Sequence, residues 1–320
     1  MDLTNSDIIL MDGGFPMDLV EKADPLPLWI DDYNETNPEV VIQNHISYLR
    51  AGSKLLKTNT YQSTIEGFME HKKLTKEQAE QKIIEGVDLC HKAIKLYQES
   101  DDGDNGKNKI LVVGATGTYG AHLHDGSDYT GDFAERVTKK DLKDFHRQQV
   151  HVLINSNIDA LAFETVPCQM EGEAIAELLA EEYPGVKAWI SFQCKDDLHL
   201  AHGELFHEVA EKCWEITKGK LLAVGVNCVN PRNVISLAKS LNVKRNQMIP
   251  LVLYPNSGEK YVPEQGWQDK NKCPELDEDA DQWFKLGCKF IGGCCRTTPK
   301  DIEKLRDAIS AWKTICKKSD

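Results

Sequence analysis

Short apolar runs alternate with longer amphipathic stretches along the whole of this 320-residue chain. Strand-like runs fall at 8–11, 54–57, 110–114, 160–163, 188–192, 221–226, 249–253 and 289–291. Helix-like stretches fall at 38–51, 76–98, 139–155, 170–182, 205–217, 231–241, 279–286 and 299–315. Each strand is thus followed by a helix long enough to carry the chain back, the arrangement that parallel strands require. Eight such units predict an α/β protein of the (β/α)8, TIM-type barrel class, with 1–320 as a single domain. No domain-length linker, low-complexity tract or repeat interrupts the alternation. The last unit shows the logic: Ile302, Leu305, Ile309, Trp312 and Ile315 recur at spacings of three and four and share one helix face. Pro299 opens that helix, where a missing N–H costs nothing.

Bulk chemistry narrows the partners. A net charge of −13 and a pI near 5.3 leave no basic face for nucleic-acid phosphates. The N-terminal Met1-Asp2-Leu3-Thr4-Asn5-Ser6-Asp7 has no signal-peptide pattern, and no apolar run reaches membrane-spanning length. Ten cysteines are scattered through the chain and do not have the density of a disulfide scaffold. A cytoplasmic, reducing location fits, and there cysteines more often mean metal or catalysis than disulfides. Two loop-like regions stand out: an acidic, Gly/Asn-rich turn at 99–108, expected on the face away from the site, and a Pro/Gly-bearing stretch at 254–272, expected on the functional face.

In a barrel of this kind chemistry sits where strands end. Asp12-Gly13-Gly14 follows the first strand, Thr58-Asn59-Thr60-Tyr61 the second, Glu164-Thr165-Val166-Pro167 the fourth, Asn227-Cys228 the sixth and Gly292-Gly293-Cys294-Cys295 the eighth. Vicinal cysteines suit a core poorly, since their side chains diverge, but they can grip a soft metal from one turn. With Cys228 they make three thiolates that would hold Zn2+ and leave its fourth position open, as in a catalytic site. Gly292 and Gly293 are expected to let the backbone turn tightly there. Asp12 reads either as a turn residue or as a rim carboxylate. Glu164, at the top of a buried strand, needs a cationic partner, and the two carboxylates together suit a ligand ammonium.

Three weaker signals remain. Gly114-Ala115-Thr116-Gly117-Thr118-Tyr119-Gly120 follows a strand, but the next residues read as a polar loop, not the helix a dinucleotide fingerprint requires. His122 and His124 read as metal ligands or as surface or substrate-contacting histidines. Trp29, Tyr61, Tyr119 and Tyr254 read as loop packing or as an aromatic cage for a cation.

Taken together these motifs resemble the homocysteine S-methyltransferase family. The likeness runs over nearly the whole chain, through Met11-Asp12-Gly13-Gly14, Asn59-Thr60-Tyr61-Gln62, Asp125-Gly126-Ser127-Asp128-Tyr129-Thr130-Gly131, Glu164-Thr165-Val166-Pro167, Gly225-Val226-Asn227-Cys228, Tyr254-Pro255-Asn256-Ser257-Gly258-Glu259 and Gly292-Gly293-Cys294-Cys295-Arg296-Thr297-Thr298-Pro299. It departs from the family pattern at Phe15-Pro16-Met17, at Ala115-Thr116-Gly117-Thr118-Tyr119 and at Leu28-Trp29-Ile30-Asp31, all on the expected donor side. The resemblance implies a zinc-dependent barrel that methylates homocysteine to methionine, with Cys228, Cys294 and Cys295 as zinc ligands. For that chemistry homocysteine is expected against Asp12, Gly13, Gly14, Asn59, Tyr61, Glu164 and Asn227, with Asn227 orienting its carboxylate or the neighbouring cysteine, and the methyl donor against Trp29 and Tyr119. The expected partners are small molecules: homocysteine and a sulfonium donor, S-methylmethionine or S-adenosylmethionine. A betaine-type donor is the alternative within enzymes, disfavoured because this chain lacks the C-terminal arm of the longer relatives. A zinc- or redox-sensing binding protein, with the vicinal cysteines as a reversible disulfide, is the alternative in another class.

Overall fold

In the computed structural model, residues 3, 7–15, 29–101, 103, 109–262 and 266–317 are described. Eight parallel strands form one sheet: β1 (Ile9–Leu10), β2 (Leu55–Lys57), β3 (Leu111–Thr116), β4 (Ala160–Val166), β5 (Ala188–Phe192), β6 (Ala223–Asn227), β7 (Leu251–Tyr254) and β10 (Cys288–Ile291). The sheet runs in the order β1-β10-β7-β6-β5-β4-β3-β2. It closes through a parallel bridge between Met11 and Leu55 and a hydrogen bond from Lys54 N to Leu10 O (2.8 Å). The expected (β/α)8 barrel is what the chain forms.

Strand alternation sorts side chains into two layers. Leu56, Leu161, Ile190, Val224 and Leu253 face outward and pack beneath the helices. Leu55, Val113, Ala162, Trp189, Val252 and Phe290 face inward and fill the barrel. Toward the strand ends the inward series turns polar: after Leu55 comes Lys57, after Ala162 comes Glu164, after Trp189 comes Ser191, after Val252 comes Tyr254. Packed apolar layers therefore form the floor on which a polar site stands.

The helices begin where local chemistry tells them to. Capping boxes at Thr75/Gln78, Thr138/Asp141 and Thr298/Asp301 open the helices Lys76–Glu99, Lys139–Ile154 and Pro299–Cys316. In the last of these, Ile302, Leu305 and Ile309 are buried and Trp312 packs against Phe284, but Ile315 is exposed. The apolar stripe thus ends one turn earlier than its spacing predicts. Two further differences concern loops. A five-residue helix, Tyr119–Leu123, starts where a polar loop was expected. The stretch after β7 carries a two-stranded antiparallel ribbon, β8 (Lys260–Val262) and β9 (Gly266–Gln268). In the acidic turn at 99–108, positions 102 and 104–108 lie outside the described residues.

Candidate active site

A cavity of about 850 Å³, part of it open to solvent, lies at the C-terminal end of the barrel strands. Its walls include Asp12, Gly13, Gly14, Asn59, Tyr61, Glu164, Asn227, Cys228, Cys294 and Cys295, so ten of the twelve residues proposed from sequence converge on it. Trp29 and Tyr119 do not belong to that set. The side chain of Trp29 lies outside the described residues. Tyr119 is turned away: its ring packs against Phe133 (5.5 Å) and Phe145 (5.2 Å) beneath the loop after β3. Tyr254 is not a rim aromatic either. It is fully buried inside the barrel, and its hydroxyl meets Ser191 Oγ (2.5 Å) and Trp189 Nε1 (3.2 Å).

Two loops interlock to present the sulfurs. The loop after β1 lies so close to the loop after β10 that a Cβ on Gly14 would fall 2.3 Å from Cys294 O. One on Gly293 would fall 2.2 Å from Thr297 Oγ1. Gly292 and Gly293 are thus required by close approach, and neither has the positive φ that favours glycine. Gly293 N donates to Asp12 O (3.0 Å), and Thr297 Oγ1 accepts from Gly14 N (3.1 Å).

The sulfurs of Cys228, Cys294 and Cys295 lie within 4.8 Å of one another. Cys228 and Cys294 are joined as a disulfide, and Cys295 Sγ stands 3.5 Å from Cys228 Sγ. Three free thiolates were expected, and the only reversible disulfide considered was the vicinal one. The bonded pair instead spans 66 residues and links the ends of β6 and β10. Cys295 remains a thiol, pushed up to about 11 by burial despite a hydrogen bond with Tyr129. Of the other cysteines, Cys90, Cys168, Cys194, Cys213 and Cys288 are buried, consistent with structural thiols.

Three residues at the site have strained backbones. Among the described residues eight non-glycine positions have positive φ, and Thr165 (64°), Cys228 (50°) and Arg296 (65°) all border the cavity or its thiols. For a β-branched residue such as Thr165 this is a genuine outlier, sustained only if its surroundings over-determine it. They do: the register of β4 against β5 shifts between Phe163 and Val166, and Asn227 clamps the resulting bulge. Its Oδ1 accepts from Thr165 N (2.7 Å) and its Nδ2 donates to Thr165 Oγ1 (2.8 Å). The same Nδ2 lies 3.9 Å from Cys294 Sγ. The Asn227 amide is thus committed to protein groups, Thr165 and Cys294.

The same cavity wall holds a group that sequence reading passed over. Lys57, with a side chain 11% exposed, points inward from the end of β2. Its Nζ donates to Asp12 Oδ1 (2.5 Å) while its backbone N–H donates to Asp12 Oδ2 (2.8 Å). Burial pulls the Lys57 ammonium down, but Asp12 and Glu164 more than offset this and hold it above the ordinary lysine range. Glu164 is pushed up to about 7 by burial, against the opposing pull of Lys57 and a hydrogen bond with Tyr254. Asp12 is therefore already paired within the protein. The signal for Lys57 was strand parity: a charge two residues after an inward Leu55, at the end of a barrel strand. Asp128 and Tyr129 also line the cavity, from the short helical turn Ser127–Tyr129. Asp128 is pushed up to about 6 by burial and accepts weakly from Tyr61 Oη (3.4 Å). His122 hydrogen-bonds Thr64 Oγ1 (3.2 Å) and does not line the cavity.

Fold and rim together define a barrel whose strand ends carry a thiol cluster next to a charged recess. The sequence profile described as homocysteine S-methyltransferase matches residues 9–309, and the chain belongs to that family. A betaine-homocysteine S-methyltransferase of Drosophila melanogaster is 40% identical over 314 residues, covering 94% of each chain. A homocysteine S-methyltransferase 2 of Zea mays is 36% identical, over 94% of this chain and 90% of its own length. A selenocysteine Se-methyltransferase of Brassica oleracea var. italica is 35% identical, over 96% and 90%. The metallated form of the homocysteine methyltransferase MmuM from Escherichia coli superposes with a TM-score of 0.79 at 34% identity, covering 94% of this chain and 96% of that one.

Proposed function

We propose that this chain is a cytoplasmic, zinc-dependent enzyme that moves a methyl group from a sulfonium donor, S-methylmethionine or S-adenosylmethionine, to L-homocysteine, forming methionine. The observation that carries this reading is the placement of three mutually close sulfurs beside a recess bearing Lys57, Asp12 and Glu164. Thiolates are the soft ligands zinc takes at about 2.3 Å, and sulfurs this close can share one ion once the Cys228–Cys294 bond is reduced. When bound, the metal supplies the Lewis acidity that keeps a substrate thiol ionised at neutral pH.

The protein's own residues do the rest. Glu164 takes the substrate amine, because Asp12 is occupied by Lys57. Asn227 holds the β4 bulge and braces Cys294. The acceptor sulfur's lone pair forms the new S–CH3 bond as the donor's S–CH3 bond breaks. The breaking pair stays on the donor sulfur, which leaves as a neutral thioether, and the acceptor's thiol proton goes to solvent. Positioning for this in-line displacement is the main contribution of the cavity walls. Tyr61, Asp128 and Tyr129 line the same cavity, and two aromatics beside a carboxylate suit a donor of net positive charge such as S-methylmethionine over the net-neutral betaine.

The fly relative's name supports betaine as the second reading, and the Cys228–Cys294 bond supports a redox-sensing binding protein as the third. One donor panel separates them: methionine formation from homocysteine with S-methylmethionine, S-adenosylmethionine or betaine, with zinc content measured on the same sample. The proposal expects turnover with a sulfonium and little with betaine. Turnover with betaine alone would sink the donor assignment, and no methionine with any donor would favour the sensor.

A further inference from the structure

Lys57 has no part in the chemistry described so far, yet it is placed with unusual care. Asp12 holds it at both ends, backbone N–H and Nζ, so its direction is fixed. Its Nζ lies 5.0 Å from the centre of the Tyr254 ring and shares the cavity wall with Glu164. An ammonium carries three N–H donors, and Asp12 accepts one of them. A buried cation whose donors border a cavity is a site for an anionic acceptor.

An α-amino acid presents an ammonium and a carboxylate on one carbon. Two rim carboxylates, Asp12 and Glu164, could receive only the ammonium and would repel the other group. Paired with Lys57, Asp12 no longer does so, and the ammonium keeps further N–H donors for a ligand carboxylate while Glu164 is left for the ligand ammonium. Resting on the reading that the site binds an amino-acid thiol, we propose that Lys57 is the specificity-determining residue that binds the substrate α-carboxylate opposite Glu164, restricting the acceptor to α-amino-acid thiols.

The test is a binding comparison on the reduced, zinc-loaded protein, without donor. The probes are homocysteine and 3-mercaptopropylamine, which keeps the thiol and amine but lacks the carboxylate. Wild type is expected to prefer homocysteine by about ten- to a hundredfold, the range of a charge-assisted hydrogen bond. Lys57→Met should abolish that preference by weakening homocysteine alone, and Lys57→Arg should retain most of it. Because Lys57→Met leaves Asp12 buried and unpaired, the double variant Asp12→Asn/Lys57→Met is measured as well and should lose the preference too. A preference that survives in both variants, equal weakening of both probes, or a wild type that binds the two equally would each overturn the assignment while leaving methyl transfer to homocysteine intact. A wild type that binds neither probe would overturn the acceptor reading together with it.

Discussion

Three sulfurs from two strand ends, once reduced, should hold one metal and fail as a unit. About one zinc per reduced chain is expected for such a soft donor set. Cys294→Ser should lose most of that zinc, read by atomic absorption, together with all turnover; a variant with full zinc and rate would remove Cys294 from the site. Glu164→Gln should behave differently. Losing a charged hydrogen bond to the substrate amine should weaken homocysteine by about 1.5–3 kcal/mol with zinc retained, and unchanged affinity in calorimetry would exclude Glu164 from contact. At this scale the sequence was uneven. Cys228, Cys294, Cys295 and Glu164 were visible because each is an unlikely residue directly after or at the end of an apolar run. Lys57 was equally visible in principle but was absorbed into its strand. Asp128 and Tyr129 were beyond reach as site residues, since only folding of the loop after β3 brings them to the cavity. The pairing of Cys228 with Cys294 was not legible either, because sequence spacing says nothing about which of three sulfurs meet.

Elements were the most readable level. Helix starts at Lys76, Lys139, Pro231 and Pro299 followed from caps and prolines that satisfy or dispense with the first N–H groups. The β4 bulge left no such mark, because it depends on an amide supplied by β6, 62 residues away. Asn227→Ala should therefore cost about 1–3 kcal/mol in urea denaturation, beyond what a surface deletion would. The segment after β2 has its own brace. Asp31 accepts from Gln62 N (2.7 Å) and Ser63 Oγ (2.7 Å), and burial pushes it up to about 8. A folded-state value above the unfolded one means that the folded chain keeps a proton the unfolded chain releases between about pH 4 and 8. Stability from this group is thus lost as pH rises through that window. His45, pushed down to about 4 by burial, acts with the opposite sign between about 4 and 6.5, and Glu164, pushed up to about 7, acts with the same sign, so the effect of Asp31 is read as a difference from Asp31→Asn between pH 7 and 8. There the wild type should lose about 1 kcal/mol relative to Asp31→Asn, and parallel curves for the two proteins would refute the assignment.

For the whole molecule, the site draws on β1, β2, β4, β6 and β10, so metal loading should be felt throughout the barrel. A ligand at a thousand times its Kd adds about 4 kcal/mol to the folded state. The reduced, zinc-loaded protein should accordingly melt several degrees above the reduced, chelator-treated one, and coincident melting curves would mean that no metal is held in the fold. One further property follows from β1 lying beside β10 and from Asp7 Oδ1 standing 3.8 Å from Lys313 Nζ. The beginning and end of the barrel are neighbours, so a short peptide could join them and the chain could be reopened elsewhere. The chain enters β3 at Leu111, at the end of the barrel opposite the rim. A circular permutant cut there should keep its chemistry, because the order in which the strands are written matters less than the ring in which they stand.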